Sequence, residues 1–224
     1  MAMRFSDRRE AGGVLAKQLK AYAGRGDVVV LALPRGGVPV AAEVAAELGA
    51  PLDVFVVRKL GVPYQPELAM GAIASGGVRV LNDDVIAAAQ ITPPMLESAT
   101  RIERRELERR ERAYRNGRAA VAVKGKVAIL IDDGLATGST MRAAVEAVRR
   151  LQPSRVVVAV PVGAPDTCEG LAQIADDVVC IEMPEPFSAV GLWYEDFSQT
   201  TDDEVRALLE AAARPPTRIT SFPL

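Results

Sequence analysis

The chain has 224 residues, of which 49% are hydrophobic, and its formal net charge at pH 7 is −2. This composition is enough for one large domain with a buried core, and the slight acidity argues against nucleic acid as the main partner. The chain has no histidine, which excludes histidine-based catalysis, and its two cysteines, Cys168 and Cys180, are expected to be reduced thiols in the core. No stretch resembles a signal peptide or a membrane span, so we expect a cytoplasmic protein without a membrane partner.

The first part of the chain alternates helices and strands. Helical spacing and an acid near the start predict a helix over 7–22, and the apolar run 28–33 predicts a buried strand. The turn Pro34-Arg-Gly-Gly37 then leads into a helix over 38–48. Gly36 and Gly37 permit close approach of a ligand to the backbone, and the Arg35 guanidinium is a forked donor for phosphate oxygens. Taken alone, such a turn is also compatible with a plain loop.

A second strand is predicted over 52–57. It would carry Arg58 and Lys59 to the same end of the sheet as the turn 34–37. The two cations fit a phosphate site, because an anionic leaving group needs several positive charges near it. The alternative is an ordinary solvated pair at the end of a strand.

Residues 60–124 leave this alternating pattern. The runs 70–75 and 78–81, separated by Gly76 and Gly77, predict a hairpin with a two-residue turn, and helices are predicted over 83–90 and from 92 to 114. In the longer helix, four glutamates each precede an arginine by four residues: Glu97/Arg101, Glu106/Arg110, Glu108/Arg112 and Glu111/Arg115. Such pairs stabilise an exposed helix with little packing, so we expect a solvated or intersubunit arm. An RNA-binding arm is the alternative, and it predicts steeply salt-dependent affinity for nucleic acid.

The most informative stretch is 127–141. Five apolar residues predict a buried strand, Asp132 and Asp133 follow at its carboxyl end, and small and hydroxyl residues lead into a helix over 141–151. Loop N–H groups, the hydroxyls of Thr137, Ser139 and Thr140, and the positive end of the helix dipole favour a phosphate monoester. Carboxylates suit a neighbouring diol or Mg²⁺. A phosphate beside a diol describes a ribose 5-phosphate.

The C-terminal third continues the alternation. Strands are predicted over 156–160 and 178–183, with a helix over 165–174 between them, which indicates a parallel sheet with ligands at the carboxyl ends of its strands. The irregular segment 183–197 holds the sole tryptophan, Trp193, and its aromatic residues fit either a core or a ligand contact. A closing helix over 201–213, capped by Thr201, precedes a tail that begins at Arg214.

The segment Ile131-Asp-Asp-Gly-Leu-Ala-Thr-Gly-Ser-Thr140 resembles the signature for 5-phosphoribosyl-1-pyrophosphate (PRPP) in type I phosphoribosyltransferases. The resemblance extends more weakly over most of the chain. It implies a three-layer α/β/α fold with a mainly parallel sheet, in one domain over 1–224, with an insertion arm over about 60–124 and a C-terminal hood over about 183–200. The alternatives are a crossover whose acids merely cap a helix and a P-loop, which lacks its lysine here.

By this resemblance, the protein transfers phosphoribose from PRPP to a nucleobase-like nitrogen, with Mg²⁺ as cofactor and release of pyrophosphate. We expect a homodimer. The alternative is a regulatory module that senses PRPP or a nucleotide without catalysis. An alanine at position 136, where relatives that act on 6-oxopurines usually carry an acid, makes that class of acceptor less favoured.

The resemblance also assigns roles to residues. Asp132 and Asp133 would hold the ribose hydroxyls and, directly or through water, the metal. The groups assigned to the 5-phosphate are Ala136, Thr137, Gly138, Ser139 and Thr140. Those assigned to pyrophosphate are Arg35, Gly36, Gly37 and Lys59, of which Arg35 and Lys59 join the acid pair as catalytic candidates. Trp193 and Tyr194 of the hood would contact the acceptor.

Overall fold

Five parallel strands form the centre of the fold in the computed structural model, which describes residues 4–213. In spatial order they are β2 (Leu52–Val54), β1 (Val28–Ala32), β6 (Val127–Ile131), β7 (Arg155–Val162) and β8 (Asp177–Glu182). Every residue of β1 and β6 is buried, as expected for apolar runs that are covered on both faces. The tail predicted from Arg214 lies outside the described residues.

Helices cover both faces of this sheet. The helices α1 (Arg8–Gln18), α2 (Gly37–Leu48), α4 (Pro93–Arg115) and α7 (Asp202–Ala213) share one hydrophobic cluster with one face of the sheet. The opposite face packs against α5 (Ser139–Arg150) and α6 (Pro165–Ala172). Alternate residues of β1 point into the two clusters, because successive side chains of a strand face opposite ways. The predicted three-layer α/β fold is confirmed.

A second, antiparallel sheet corrects the prediction for 52–57. That run is not one strand: β2 ends at Val54, and β3 (Val57–Val62) belongs to the small sheet with β4 (Gln65–Ala74) and β5 (Val78–Leu81). Phe55 and Val56 are buried where the chain passes between the sheets, so the apolar run continues across the break. Arg58 and Lys59 therefore lie within β3, four and five residues after the end of β2.

The predicted hairpin is present with a longer turn. Ala74 pairs with Val78, so the three residues Ser75–Gly77 connect β4 to β5 where two were expected. Gly76 and Gly77 have φ angles of 80° and 73°, in the left-handed region that favours glycine. The hairpin also gains β3, which pairs with the other edge of β4.

The arginine-rich helix packs more closely than expected. After the short α3 (Asp83–Ala88), α4 buries Thr100, Leu107 and Tyr114 along one side, so it does not stand free of the fold. Of the four predicted i,i+4 ion pairs, three form, and Glu97 instead pairs with Arg79 of β5. The sequence shows the charged side of α4 clearly, whereas its three buried residues are spaced seven apart and make a sparse apolar pattern.

Two further expectations concern the chain as a whole. Within 4–213, no helix combines the length and apolar character needed to cross a bilayer. Cys168 is buried and Cys180 is half-buried, and both are free thiols.

Candidate functional site

The glycine turn and the acid pair meet at the carboxyl ends of β1 and β6, which are neighbouring strands. A Cβ atom added to Gly36 would lie 2.1 Å from Oδ2 of Asp133, and one added to Gly37 would lie 2.6 Å from the carbonyl oxygen of Ile131. Neither distance occurs for a real Cβ atom. The obstructing atom at Gly37 belongs to the backbone, whereas at Gly36 it belongs to the Asp133 carboxylate, which an added side chain would displace. The Pro34–Arg35 peptide bond of this turn is cis. The structure thus brings together two motifs that lie almost a hundred residues apart.

The two carboxylates of the acid pair have different partners. Oδ1 of Asp132 accepts a hydrogen bond from the backbone N–H of Asp133 at 2.9 Å, whereas Oδ2 of Asp133 accepts one from Nε of Arg8 at 2.8 Å. Burial raises the pKa of Asp132 well above its ordinary value, and the adjacent Asp133 carboxylate raises it further. Burial also raises the pKa of Asp133, but the Arg8 guanidinium opposes this shift.

Arg8 is the residue of this site that sequence reasoning missed. It is the first residue of α1, and its side chain is only 12% exposed. Its Nη1 donates to the carbonyl oxygen of Ser198 at 2.7 Å, and its guanidinium carbon lies 4.0 Å from the centre of the Phe197 ring. The local pattern showed only a helix start capped by Asp7, because no short-range signal marks a pair separated by 125 residues.

Hydrogen bonds from β7 and from the start of α6 fix the loop that follows the acid pair. The N–H of Leu135 donates to the Val162 carbonyl at 2.9 Å, and the carbonyl of Leu135 accepts from the Ala164 N–H at 2.9 Å. The hydroxyl of Thr167 donates to the carbonyl of Ala136 at 2.7 Å. Because the carbonyl oxygens of Leu135 and Ala136 accept these hydrogen bonds, they point away from any anion that binds to the loop.

The N-terminus of α5 closes the same loop. Gly138 is its N-cap residue, with φ of 67°, and no side chain caps the helix there. Thr137, Ser139 and Thr140 are exposed, with the hydroxyl oxygens of Thr137 and Ser139 3.3 Å apart. An uncapped helix start beside exposed hydroxyls favours an anionic group. The five residues predicted to bind the 5-phosphate thus lie in the end of this loop and the first turn of α5.

The two predicted cations have separate surroundings. Nη1 of Arg35 lies 3.7 Å from Asp202 at the start of α7, which also accepts a hydrogen bond from the Tyr114 hydroxyl at 3.0 Å. Nζ of Lys59 lies 3.2 Å from a carboxylate oxygen of Glu67, on the paired strand β4. Arg35 thus pairs with the start of α7 from within the glycine turn. Lys59 of β3 instead donates to the side chain and the backbone of Glu67 on the neighbouring strand β4.

The predicted hood contains a short 3₁₀ helix, Val190–Trp193, directly after irregular chain. Val190 packs against Gly134, where an added Cβ would lie 2.5 Å from its Cγ1 atom. Trp193 is half-buried. Tyr194 is 1% exposed, and its hydroxyl donates to the Asp133 carbonyl at 2.6 Å. Tyr194 is therefore a core residue that contacts the backbone of the acid pair. Its burial raises the pKa of the phenol.

The donor set at this site fits a magnesium ion that arrives with a phosphate ligand. Mg²⁺ usually keeps several waters and binds one or two carboxylates together with substrate phosphates. Among the described residues, no three carboxylate, thiol or imidazole groups gather in a way that could hold an ion without a ligand. Asp132 and Asp133 could supply the one or two carboxylates that such an ion needs.

Three comparisons bear on this site. The family model described as phosphoribosyl transferase domain matches residues 8–195. A provisionally named phosphoribosyl transferase of Mycobacterium tuberculosis, found in strains CDC 1551 and H37Rv, is 50% identical over 210 residues, which are 94% of this chain and 47% of that protein. The chain thus spans about half the length of these curated relatives. The crystal structure of TT1426 from Thermus thermophilus has a TM-score of 0.84 and 45% identity, and the match covers 95% of this chain and 100% of that one.

Proposed function

Because the chain belongs to the phosphoribosyl transferase domain family, we propose that it transfers phosphoribose from Mg-PRPP to a nitrogen of a nucleobase-like acceptor and releases pyrophosphate. The observation that carries this proposal is the contact between Gly36 and the Asp133 carboxylate. It sets the glycine turn beside acids that suit ribose hydroxyls. The uncapped start of α5 completes the set of groups that PRPP would need.

The residues would act mainly by positioning and by electrostatics. Departure of pyrophosphate leaves a ribose with oxocarbenium character, so the protein has to align the acceptor and stabilise the leaving anion. The loop 136–140 would hold the 5-phosphate and the acid pair the ribose. Arg35, Gly36 and Gly37 would receive the pyrophosphate. A bound Mg²⁺ would neutralise part of the charge on the leaving group.

Lys59 would have to leave Glu67 before it could bind the pyrophosphate. Its ion pair with Glu67 is exposed, with side chains that are 46% and 97% accessible, and such pairs contribute little stability. Breaking this pair would therefore cost little free energy. The role proposed for Lys59 is thus confined to the liganded state.

The acceptor would lie between the loop and the hood. Val190 already touches Gly134 of the loop, and the next exposed residue of the hood, Leu192, is 62% accessible. The half-buried indole of Trp193 offers a surface on which a heteroaromatic ring could stack. These apolar groups favour a planar base as the nucleophile.

The test is an assay of pyrophosphate release with Mg-PRPP and a panel of nucleobases. We expect release that depends on Mg²⁺ and on one class of base, and we expect Asp132→Asn to weaken Mg-PRPP binding by roughly ten- to a hundredfold, since a charge-assisted hydrogen bond is lost. Glu108→Gln, at an exposed position of α4, is the matched control and should behave as the wild type.

Two outcomes would contradict catalysis. Tight binding of Mg-PRPP without release for any base would support a PRPP-sensing module in place of an enzyme. Absence of any Mg-PRPP binding would contradict both functions.

A further inference from the structure

The two cysteines of the chain, Cys168 of α6 and Cys180 of β8, lie side by side in the fold. A Cβ atom added to Gly163 would lie 2.7 Å from Sγ of Cys168 and 3.3 Å from Sγ of Cys180, so both sulfurs border the same small space. Cβ of Leu135, in the loop after the acid pair, lies 3.3 Å from that point as well. Both cysteines pack in the hydrophobic cluster between the sheet and α6, where their thiols face each other.

We propose that Cys168 and Cys180 are a modification site, at which a peroxide converts the two thiols into a reversible disulfide that alters the neighbouring loop 134–138. The oxidation itself is independent of the proposed function. Its consequence for Mg-PRPP binding rests on that function, because the same loop is the one proposed to hold the 5-phosphate.

A small oxidant can approach the pair from the edge of the sheet. β8 is the last of the five strands, and each of its six residues, including Cys180, is half-buried. The thiol of Cys180 donates to the Glu182 carbonyl at 3.3 Å. Cys168 is only 4% exposed. Hydrogen peroxide is little larger than water, so it fits this approach better than a bulky disulfide reagent does.

The reaction consumes one peroxide and releases two waters. The thiolate of one cysteine attacks a peroxide oxygen, which breaks the O–O bond and gives a sulfenic acid and hydroxide. The sulfur of the other cysteine then attacks the sulfenic sulfur, so that an S–S bond forms, the S–O bond breaks and a second hydroxide leaves. The two thiol protons convert both hydroxides into water, and the sulfurs together give two electrons to the peroxide. The neighbouring Cys180 thiol lowers the pKa of Cys168, which favours the thiolate that begins this reaction.

Thr167 connects the cysteine pair to the loop. It precedes Cys168 in α6, and its hydroxyl donates to the Ala136 carbonyl at 2.7 Å. Its Cγ2 atom packs against Gly138, where an added Cβ would lie 2.4 Å away. A disulfide has an S–S distance of about 2 Å, which is shorter than any contact between unbonded sulfurs, so its formation would draw α6 and β8 together. We expect that movement to disturb the contacts of Thr167 with the loop.

Mass spectrometry after treatment with hydrogen peroxide tests the modification. We expect the native protein to lose two hydrogen atoms, to yield a peptide pair joined through Cys168 and Cys180, and to regain both thiols with dithiothreitol. Cys168→Ala and Cys180→Ala are the matched controls, and neither should form a crosslink within the chain. Wild-type thiols that stay free, or that gain oxygen without a crosslink, would refute the proposal.

Hydrogen exchange tests the effect on the loop without any ligand. We expect the amides of 134–138 to exchange faster in the disulfide form than in the reduced form, and dithiothreitol should reverse the change. This reversal separates the disulfide from oxidised methionine, which needs its own reductase. Unchanged exchange over 134–138 in protein that carries the disulfide would refute the coupling between the cysteine pair and the loop.

Calorimetry with Mg-PRPP measures the functional consequence. The disulfide form should bind roughly two- to tenfold more weakly than the reduced form, which is the effect of losing about one hydrogen bond. Thr167→Val lacks the hydroxyl that bonds Ala136, so the reduced variant should already bind more weakly and should lose little more on oxidation. An equal loss on oxidation in this variant and in the wild type would refute the role of Thr167.

The outcomes separate this inference from the proposed function. If the reduced wild type binds Mg-PRPP and the disulfide form binds it equally well, the proposed function stands and the effect of the disulfide on the ligand is refuted. If the reduced wild type binds no Mg-PRPP, the proposed function fails, while the mass and hydrogen-exchange results still decide whether the disulfide forms and alters the loop.

Discussion

A buried ion pair anchors the end of α4 to the main sheet, and its removal should destabilise the fold strongly. Oδ1 of Asp53, in β2, accepts a hydrogen bond from Nε of Arg115 at 2.9 Å, and the two side chains are 7% and 12% exposed. Asp53 also accepts the backbone N–H groups of Val54 and Val121, at 2.8 and 2.9 Å. Asp53→Asn keeps the size of the side chain but removes the charge that faces Arg115.

The size of the effect follows from what remains around Arg115. Removing one partner of a buried ion pair costs about 3–5 kcal/mol, because the other charge stays buried without compensation. Glu111 still accepts from Arg115 at 2.8 Å, so we expect the lower end of that range, about 3 kcal/mol. With a urea m value of about 2–3 kcal/mol/M, the unfolding midpoint should fall by about 1–1.5 M.

Urea unfolding followed by circular dichroism provides the measurement. The control is Glu108→Gln, whose exposed partner Arg112 lies 3.7 Å away, and this variant should change the free energy of unfolding by less than about 0.5 kcal/mol. An Asp53→Asn midpoint that matches the control would show that α4 is not anchored through Arg115. The helix would then be closer to the loosely packed arm that its charge pattern predicts.

Three further predictions concern the site. Gly36→Ala should weaken Mg-PRPP binding, because its Cβ would displace the Asp133 carboxylate. Gly13→Ala, in open space on α1, should leave binding unchanged, and equal affinities for the two variants would disprove the steric argument. Because the folded state raises the pKa of Asp132, this residue should make the wild type less stable as the pH rises from about 4 through that raised pKa. Asp132→Asn should therefore be more stable than the wild type at about pH 7.5 and lose this advantage near pH 4. The opposite order of stabilities in urea unfolding would rule out a strained site. We expect a base that serves as a substrate to change Trp193 fluorescence saturably when it is added after Mg-PRPP, and by more than PRPP alone does. Unaltered emission, together with normal kinetics for Trp193→Leu, would show that the indole only packs in the core.

Local patterns determined the main layers of this protein and the chemistry of its loop. The apolar runs of β1 and β6, the glycine turn and the segment 131–140 each lie within a few consecutive residues, so their periodicity and turn chemistry are visible without a structure. Parallel strands present their carboxyl ends at one edge of a sheet, and that rule alone places the turn 34–37 and the acid pair on the same side.

The tertiary structure decided what no local pattern contains. An apolar run shows that residues are buried but not which sheet they join, so 52–57 concealed a change of sheet that moved Arg58 and Lys59 into β3. The charge pairs between Arg8 and Asp133 and between Arg115 and Asp53 span 125 and 62 residues. Their strength comes from burial, which depends on the packing of the whole domain and cannot be read from neighbouring residues.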